Sequence, residues 1–283
     1  MRYVTYAAGR TQRVGVLDGD QVLDAGFDGD MVAFIEAGAP AGAIRPVVGA
    51  RLCAPLRPRT LRDFLAFEGH LRNAYQNLGR AIPAEWFEVP AYYKGLPDTV
   101  IGPDEVIPWP SYSEQLDHEL ELAAVIGRAG RNIPAERALE HVFGYTIWND
   151  LSARDTQRRE LPAGMGPGKA KDWDGSNVLG PCIVTPDEID AGDVRLTVRV
   201  NGEVWGSDTT QHMHHSFADL IAYAAQDLTL RAGEVLGSGT VATGSGLELD
   251  RWLRPGDEIE MEADGVGILR NTVGPRPRTR HRP

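Results

Sequence analysis

Several things are missing from this 283-residue sequence, and each absence removes a class of function. No apolar run approaches the roughly 20 residues needed to span a bilayer. The N-terminal Met1-Arg2-Tyr3-Val4-Thr5-Tyr6 lacks the long apolar core of a signal peptide. Only two cysteines occur, Cys53 and Cys182. Isolated in a chain this long, they read as buried thiols and not as a disulfide framework, and a cytoplasmic, reducing setting is the expectation. Neither has the neighbours of a nucleophile. There is no GxGxxG after a strand, no P-loop, no GxSxG and no CxxC, which weakens dinucleotide, nucleotide, serine-hydrolase and zinc-ribbon readings. Positive charge is in deficit, 29 Lys and Arg against 40 Asp and Glu, for a net charge of −11. That balance argues against nonspecific binding to nucleic acid or an anionic membrane. No internal repeat is present.

What is present is an ordinary globular composition, 42% hydrophobic and 24% charged, long enough for one large domain with a small companion. Residues 1–55 read as a small α/β unit. Tyr3–Tyr6, Arg13–Leu17 and Gln21–Leu23 have strand character, Asp18-Gly19-Asp20 is a hairpin signal, and a helix is expected near Met31 to Ala37. Pro55-Leu56-Arg57-Pro58-Arg59 reads as a linker to a mostly β domain over 60–273, and the basic, proline-rich 274–283 reads as a frayed tail. Within the larger domain Val194–Val200, followed by Asn201-Gly202, alternates as a half-buried strand should, and Glu234–Leu236 and Glu258–Met261 are further strands. Ser216, with Asp219 at the third helical position, is an N-cap from which one amphipathic helix is expected to run to about Leu230.

The chemistry lies in acidic positions. Glu119-Leu120-Glu121 is an alternating triplet that leads into the apolar run Leu122–Gly127. Strand geometry puts i and i+2 on one face. Two carboxylates entering a buried strand together repel and lose hydration unless a cation sits between them, and a divalent ion held by oxygen ligands is the simplest such partner. Asp63 and His70 are seven apart, two turns of a helix that begins near Asp63, which puts a ligand and a base on one side. The plainer alternative is a helix-terminal Asp and a surface His. Asp150, at the end of the apolar run from Val142, suits either a helix N-cap or a metal oxygen. Lys171, in the glycine-rich segment 164–174, suits an anion-binding role or plain solvation. Glu248, in Leu247-Glu248-Leu249, reads as a carboxylate pointing inward from an apolar strand, where it would orient His70, or as a solvated strand-face residue. The cluster His212, His214 and His215 is either a softer metal site or a polar approach to the Ser216 helix, and the latter is preferred because no carboxylate or cysteine completes a ligand set.

Together these pieces resemble the fumarylacetoacetate hydrolase family over about 60–273. In order they are Asp63-Phe64 with His70, Asp117-His118-Glu119-Leu120-Glu121-Leu122-Ala123, Asn149-Asp150-Leu151-Ser152-Ala153-Arg154-Asp155-Thr156-Gln157, Lys171 with Asp174 and Gly180-Pro181, and Gly239-Thr240. The resemblance implies a mixed α/β, mostly β fold, a β-sandwich roll preceded by the small N-terminal α/β domain. It implies that Asp63, Glu119, Glu121 and Asp150 bind Mg²⁺ or Mn²⁺, and sometimes Ca²⁺. His70 matches the family's base, Glu248 its partner across a shortened loop, and Lys171 the lysine of a K-x-x-D motif, with Lys169 as competitor. Tyr93, Arg154, Gln157 and Thr240 fall on positions similar to substrate contacts. Asn73 stands where one branch carries a Glu, and Leu161 where fumarylacetoacetase carries a Tyr, so the substrate is expected to differ from that enzyme's.

The activity implied is metal-dependent hydrolysis of a C–C bond in a 1,3-diketo acid, an acylpyruvate or a fumarylacetoacetate-like compound, with the enolate leaving group held by the metal. The alternative is an isomerase, hydratase or decarboxylase of a 2-oxo diacid, of the oxaloacetate decarboxylase or 2-hydroxyhepta-2,4-diene-1,7-dioate isomerase type. A catalytically silent metal-binding protein is a third reading, opposed by His70, Glu248 and Lys171. The expected partner is a small oxo acid, with neither nucleic acid nor membrane, and members are usually homodimers. The segment Leu71–Trp86 is expected to cover the site, with Arg72 or Arg80 available to a substrate carboxylate.

Overall fold

A computed structural model describes residues 1–42, 45–77, 81–164 and 166–277. Arg80 and the last six residues of the tail lie outside the described residues. The fold is mixed α/β and mostly strand. Its helices are α1 (Met31–Glu36), α2 (Glu68–Asn77), α3 (Arg154–Glu160), α4 (Phe217–Ala224) and α5 (Gly246–Leu249), with several 3₁₀ turns. No helix among the described residues is long and apolar enough to cross a membrane.

Among the described residues, one 12-stranded sheet forms the spine, and a five-stranded sheet packs beside it. The spine is centred on Leu120–Ile126, fully buried along its length, and Val142–Asp150, buried at all but one position. Near-continuous apolar sequence is what a strand covered on both faces requires. The N-terminal strands join the same sheet, since Arg2–Ala8 pairs antiparallel with Asn177–Val184. The five-stranded sheet is built around Arg195–Val200 and Glu258–Ala263, whose alternating burial matches a half-buried strand. Both free cysteines are buried.

Strand order fixes the edge on which the acids meet. Leu120–Ile126 is antiparallel to Val142–Asp150 and to Glu234–Gly237, and Glu234–Gly237 is parallel to Thr60–Phe64. The ends of Thr60–Phe64 and Val142–Asp150 therefore lie beside the start of Leu120–Ile126. Gly237 is the spacer between the flanking strands. A Cβ there would lie 2.6 Å from Glu121 Oε2 and 2.7 Å from the Trp148 ring, so only glycine fits without displacement.

Three expectations about local structure are corrected. Asp63 is not on a helix with His70. It lies in the strand Thr60–Phe64, and His70 is on α2, which starts at Glu68. Hydrogen bonding to strands on both sides decides the Asp63 backbone, whatever the seven-residue spacing suggests. Glu248 is on the single-turn helix α5, held by a capping box with Ser245, and not on a strand. Helix α4 has the expected Ser216–Asp219 capping box but ends at Ala224 instead of near Leu230, and Asp227 beyond it takes a positive φ of 51°.

Candidate metal centre and active site

Asp63, Glu119, Glu121 and Asp150 are all buried, and each offers an oxygen to a group lying within 4.8 Å of one another. Glu119 and Glu121 reach it because the i, i+2 relation at the start of Leu120–Ile126 gives them the same face. Asp150 is not an N-cap; it is the last residue of its strand, and the position before α3 is Ala153. Among the described residues, Asp63 Oδ1, Glu121 Oε1 and Asp150 Oδ1 are buried without a hydrogen-bond partner. Buried polar atoms are rarely left this way, and three carboxylate oxygens from three strands converging unpaired fit a hard cation. The donor set is oxygen only, which suits Mg²⁺, Mn²⁺ or Ca²⁺ better than a soft metal.

Electrostatics sorts the four acids into two kinds. Burial pushes Asp63 well above the usual carboxylate range, and the neighbouring Asp150 adds to it. Burial and the Asp63 charge do the same to Glu121. Burial also raises Asp150, although Lys171 works against the rise. Glu119 is different. Burial would raise it, but Arg154 and Lys171 outweigh that and hold it well below the usual range. Without a cation, the cluster therefore keeps protons that ordinary carboxylates would have lost, and a bound ion would displace them.

A cationic frame surrounds the acids. Lys171 is buried, and its ammonium hydrogen-bonds both Glu119 and Asp150. Burial lowers its pKa, but these two carboxylates more than reverse that and keep it charged. It is Lys171 and not Lys169 that reaches the site; the Lys169 ammonium turns to the carbonyl of Asp172. Arg154, at the start of α3, donates from Nε to Asp117 Oδ2 (2.8 Å), from Nη2 to Glu119 and from Nη1 to Gln157 Oε1 (2.8 Å). Arg154 thus fixes Glu119 and turns the Gln157 amide, so its contact with substrate would be secondary to this holding role. Tyr93 pairs with Asp63 across the strand ladder and donates its hydroxyl to Asp150 Oδ2 at 2.6 Å.

His70 and Glu248 face each other across α2 and α5. His70 Nδ1 lies 3.0 Å from Glu248 Oε2, in an alignment short of a full hydrogen bond. Glu248 is anchored independently by Asn73 Nδ2 (3.0 Å), the Thr243 amide (2.9 Å) and Ser245. Burial would raise Glu248, but His70 and these donors prevail and keep it below its ordinary value. His70, with Glu248 behind it, lines a cavity of about 340 Å³. Asp63, His70, Glu119, Arg154, Lys171 and Thr240 form its polar end, while Leu71, Ala74, Tyr75, Leu161 and Pro167 give it an apolar wall. Arg72 does not join it and pairs with Glu68 on the exposed side of α2.

Two supporting residues had no role assigned from sequence. Asp117 accepts from Arg154 and from the amides of Gly246 (2.8 Å) and Leu247 (3.0 Å), and so links the Glu119 side of the cluster to the helix that carries Glu248. The signal the sequence carried was its place, an acid two residues before Glu119 that extends the alternation of Glu119 and Glu121. Asn73 lies one turn after His70, at the i+3 spacing that puts both on one helix face. The histidine cluster is not a metal site: His214 and His215 bond the carbonyls of Phe87 and Trp86, and His212 bonds Asp208.

A family model for the fumarylacetoacetate (FAA) hydrolase C-terminal region matches residues 59–274. The oxaloacetate tautomerase YisK of Bacillus subtilis is 34% identical over 229 residues, which cover 79% of this chain and 73% of that protein. A solved fumarylacetoacetate hydrolase from Exiguobacterium antarcticum superposes with a TM-score of 0.84 at 29% identity, covering 98% of this chain and all of that one. A 5-carboxymethyl-2-hydroxymuconate delta-isomerase from Mycobacterium smegmatis superposes at 0.80, also at 29% identity, with the same coverage.

Proposed function

This chain belongs to the fumarylacetoacetate hydrolase family, and from that premise we propose that it is a divalent-metal enzyme that moves a proton on a 2-oxo acid, converting enol and keto forms of an oxaloacetate-like diacid. The observation that carries this reading is that His70, backed by Glu248, lines the same cavity as Asp63 and Glu119 of the four-carboxylate cluster. Names borne by relatives, oxaloacetate tautomerase and delta-isomerase, favour such proton transfer over the hydrolysis that the sequence first suggests.

Asp63, Glu119, Glu121 and Asp150 would hold the ion. When bound, it supplies Lewis acidity, polarising the carbonyl of the oxo acid and offsetting negative charge on its oxygen. The chain's own groups do the rest. With Nδ1 turned to Glu248, His70 offers Nε2 to take a proton from the carbon beside the carbonyl, the enolate oxygen then taking a proton from solvent to give the enol; in the reverse direction the enol O–H proton leaves to solvent and the imidazolium returns a proton to carbon. Glu248, kept ionised, stabilises the imidazolium during the transfer. The Lys171 ammonium and the Gln157 amide stabilise the developing oxyanion. Leu71, Ala74 and Tyr75 of helix α2 line the cavity beside His70.

The test is decay of enol-oxaloacetate absorbance with Mg²⁺ or Mn²⁺ present. A rate above the metal-only background that disappears in His70→Ala supports the reading, and a rate equal to background for oxaloacetate and longer 2-oxo diacids refutes it. C–C hydrolysis of an acylpyruvate is the second reading, favoured by the apolar wall of Leu71, Ala74 and Leu161, which a four-carbon acid would leave uncovered.

A further inference from the structure

Helix α3 presents three residues at steps of three. Arg154 fixes Glu119, Gln157 receives Arg154, and the last residue, Glu160, belongs to neither contact. Its carboxylate leaves the helix and accepts three successive backbone N–H groups across the loop: Gly168 to Oε2 (3.0 Å), Lys169 to Oε1 (2.7 Å) and Ala170 to Oε2 (3.2 Å). Successive amides turned toward one point form an anion-binding nest. Here the anion is part of the chain.

The nest immediately precedes Lys171. The turn Lys169–Lys171 is closed by the Lys171 amide on the Gly168 carbonyl (3.0 Å). On its carbonyl side the turn is held by the Ser176 hydroxyl on Lys171 O (2.9 Å) and the Tyr112 hydroxyl on Lys169 O (2.7 Å). On its amide side the tie is Glu160. The connection between Glu160 and the turn carries Gly164, Gly166 and Gly168, all exposed, together with Pro162 and Pro167. Removing the carboxylate leaves three N–H groups without their acceptor and takes away the tie on the amide side of the turn.

We propose that Glu160 is a positioning residue: by filling the nest of 168–170 it sets the turn that delivers the Lys171 ammonium to Glu119 and Asp150. A structural cap alone would stabilise the loop without governing Lys171. The role deepens the proposed site, but its first test does not depend on that reading.

Lysine labelling with an amine-reactive reagent, read by mass spectrometry, reports Lys171 directly, and exposed Lys94, outside the turn, serves as the internal reference. In Glu160→Ala, Lys171 is expected to label about tenfold faster, the order that loss of hydrogen bonds to a charged group gives in a local opening equilibrium, while Lys94 is unchanged. Glu160→Gln, which keeps one acceptor oxygen, should fall between and serves if the alanine variant does not fold. The second test is a Mn²⁺ titration in a double-mutant cycle. Lys171→Met should raise Mn²⁺ affinity about tenfold by removing a competing cation. Glu160→Ala should raise it by a smaller factor, and the double variant should match Lys171→Met. Lys171 labelling within twofold of wild type in both Glu160 variants, or a Glu160→Ala effect on Mn²⁺ that persists in full without Lys171, overturns the proposal. Wild-type protein that binds no Mn²⁺ would refute the metal reading, and the labelling result would still decide the role of Glu160.

Discussion

Loading the four-carboxylate cluster with a divalent ion should stabilise the fold, and by an amount that grows with pH. In the metal-free protein, burial holds Asp63, Glu121 and Asp150 above their ordinary values. In the unfolded chain the same carboxyls titrate at about 4. The folded state therefore binds more protons than the unfolded state above that pH. Stability contributed by the protonated cluster is complete below pH about 4 and is lost as pH rises through the elevated folded values. Mn²⁺ or Mg²⁺ replaces those protons, so its affinity should rise with pH, up to about tenfold per unit for each proton released. At a concentration of about 100 Kd the ion adds about 2.7 kcal/mol, which for a chain of this length raises Tm by about 5 °C. The assay is thermal melting of chelator-treated and Mn²⁺-loaded protein from pH 5.5 to 8. A metal-induced shift that is larger at pH 8 than at 5.5, together with a chelated Tm that declines over the same range, is the expected outcome. A metal shift that is absent, or that shrinks as pH rises, refutes the assignment of these carboxylates to a cation site.

Other expectations test separate parts of the structure. Glu248→Gln should lower kcat on the responsive oxo acid by about 100-fold through loss of imidazolium stabilisation, with Mn²⁺ affinity within about twofold of wild type because Glu248 is outside the ligand set; equal losses in both measurements would contradict the division of roles. Gly237→Ala introduces a Cβ 2.6 Å from Glu121 Oε2 and should weaken Mn²⁺ binding by about tenfold or more in titration calorimetry, whereas Gly256→Ala, whose Cβ meets open space but whose φ of +88° strains the backbone, should lower stability and leave Mn²⁺ affinity unchanged. Trp148→Ala empties a fully buried position in the central strand and removes the bond from Nε1 to Asn177 (3.0 Å), for a loss of about 3–5 kcal/mol in denaturant unfolding.

The metal cluster was legible in the sequence because its members break a rule that local chemistry enforces. Glu119 and Glu121 occupy alternate positions at the head of an apolar run, and acids in that place need a partner whatever the fold. Asp63 and Asp150 could be added only through motif resemblance, since a lone acid at a strand end is as readily a cap. The backbone around them was less legible. The Asp63 to His70 spacing fits a helix, but Thr60–Phe64 is a strand because neighbours at Gly95–Tyr92 and Glu234–Gly237 supply its hydrogen bonds, and those lie far off in sequence. Glu248 sits in an apolar triplet that suits a strand, and the capping box with Ser245 makes it a helical turn instead. The role of Asp117 depends on Arg154 and the Gly246 amide, 37 and 129 residues away, contacts that no local pattern encodes.

The most direct test of proton transfer at this site is product analysis in labelled water with Mg²⁺-loaded enzyme. Oxaloacetate and an acylpyruvate are each incubated in H₂¹⁸O and, separately, in D₂O. The account expects the oxaloacetate skeleton to return intact, with deuterium entering the carbon beside the carbonyl faster than in the Mg²⁺ control and with that excess lost in His70→Ala. Cleavage of the acylpyruvate with ¹⁸O in a new carboxylate, and no enzyme-dependent deuterium exchange into oxaloacetate, would contradict it and establish hydrolysis in its place.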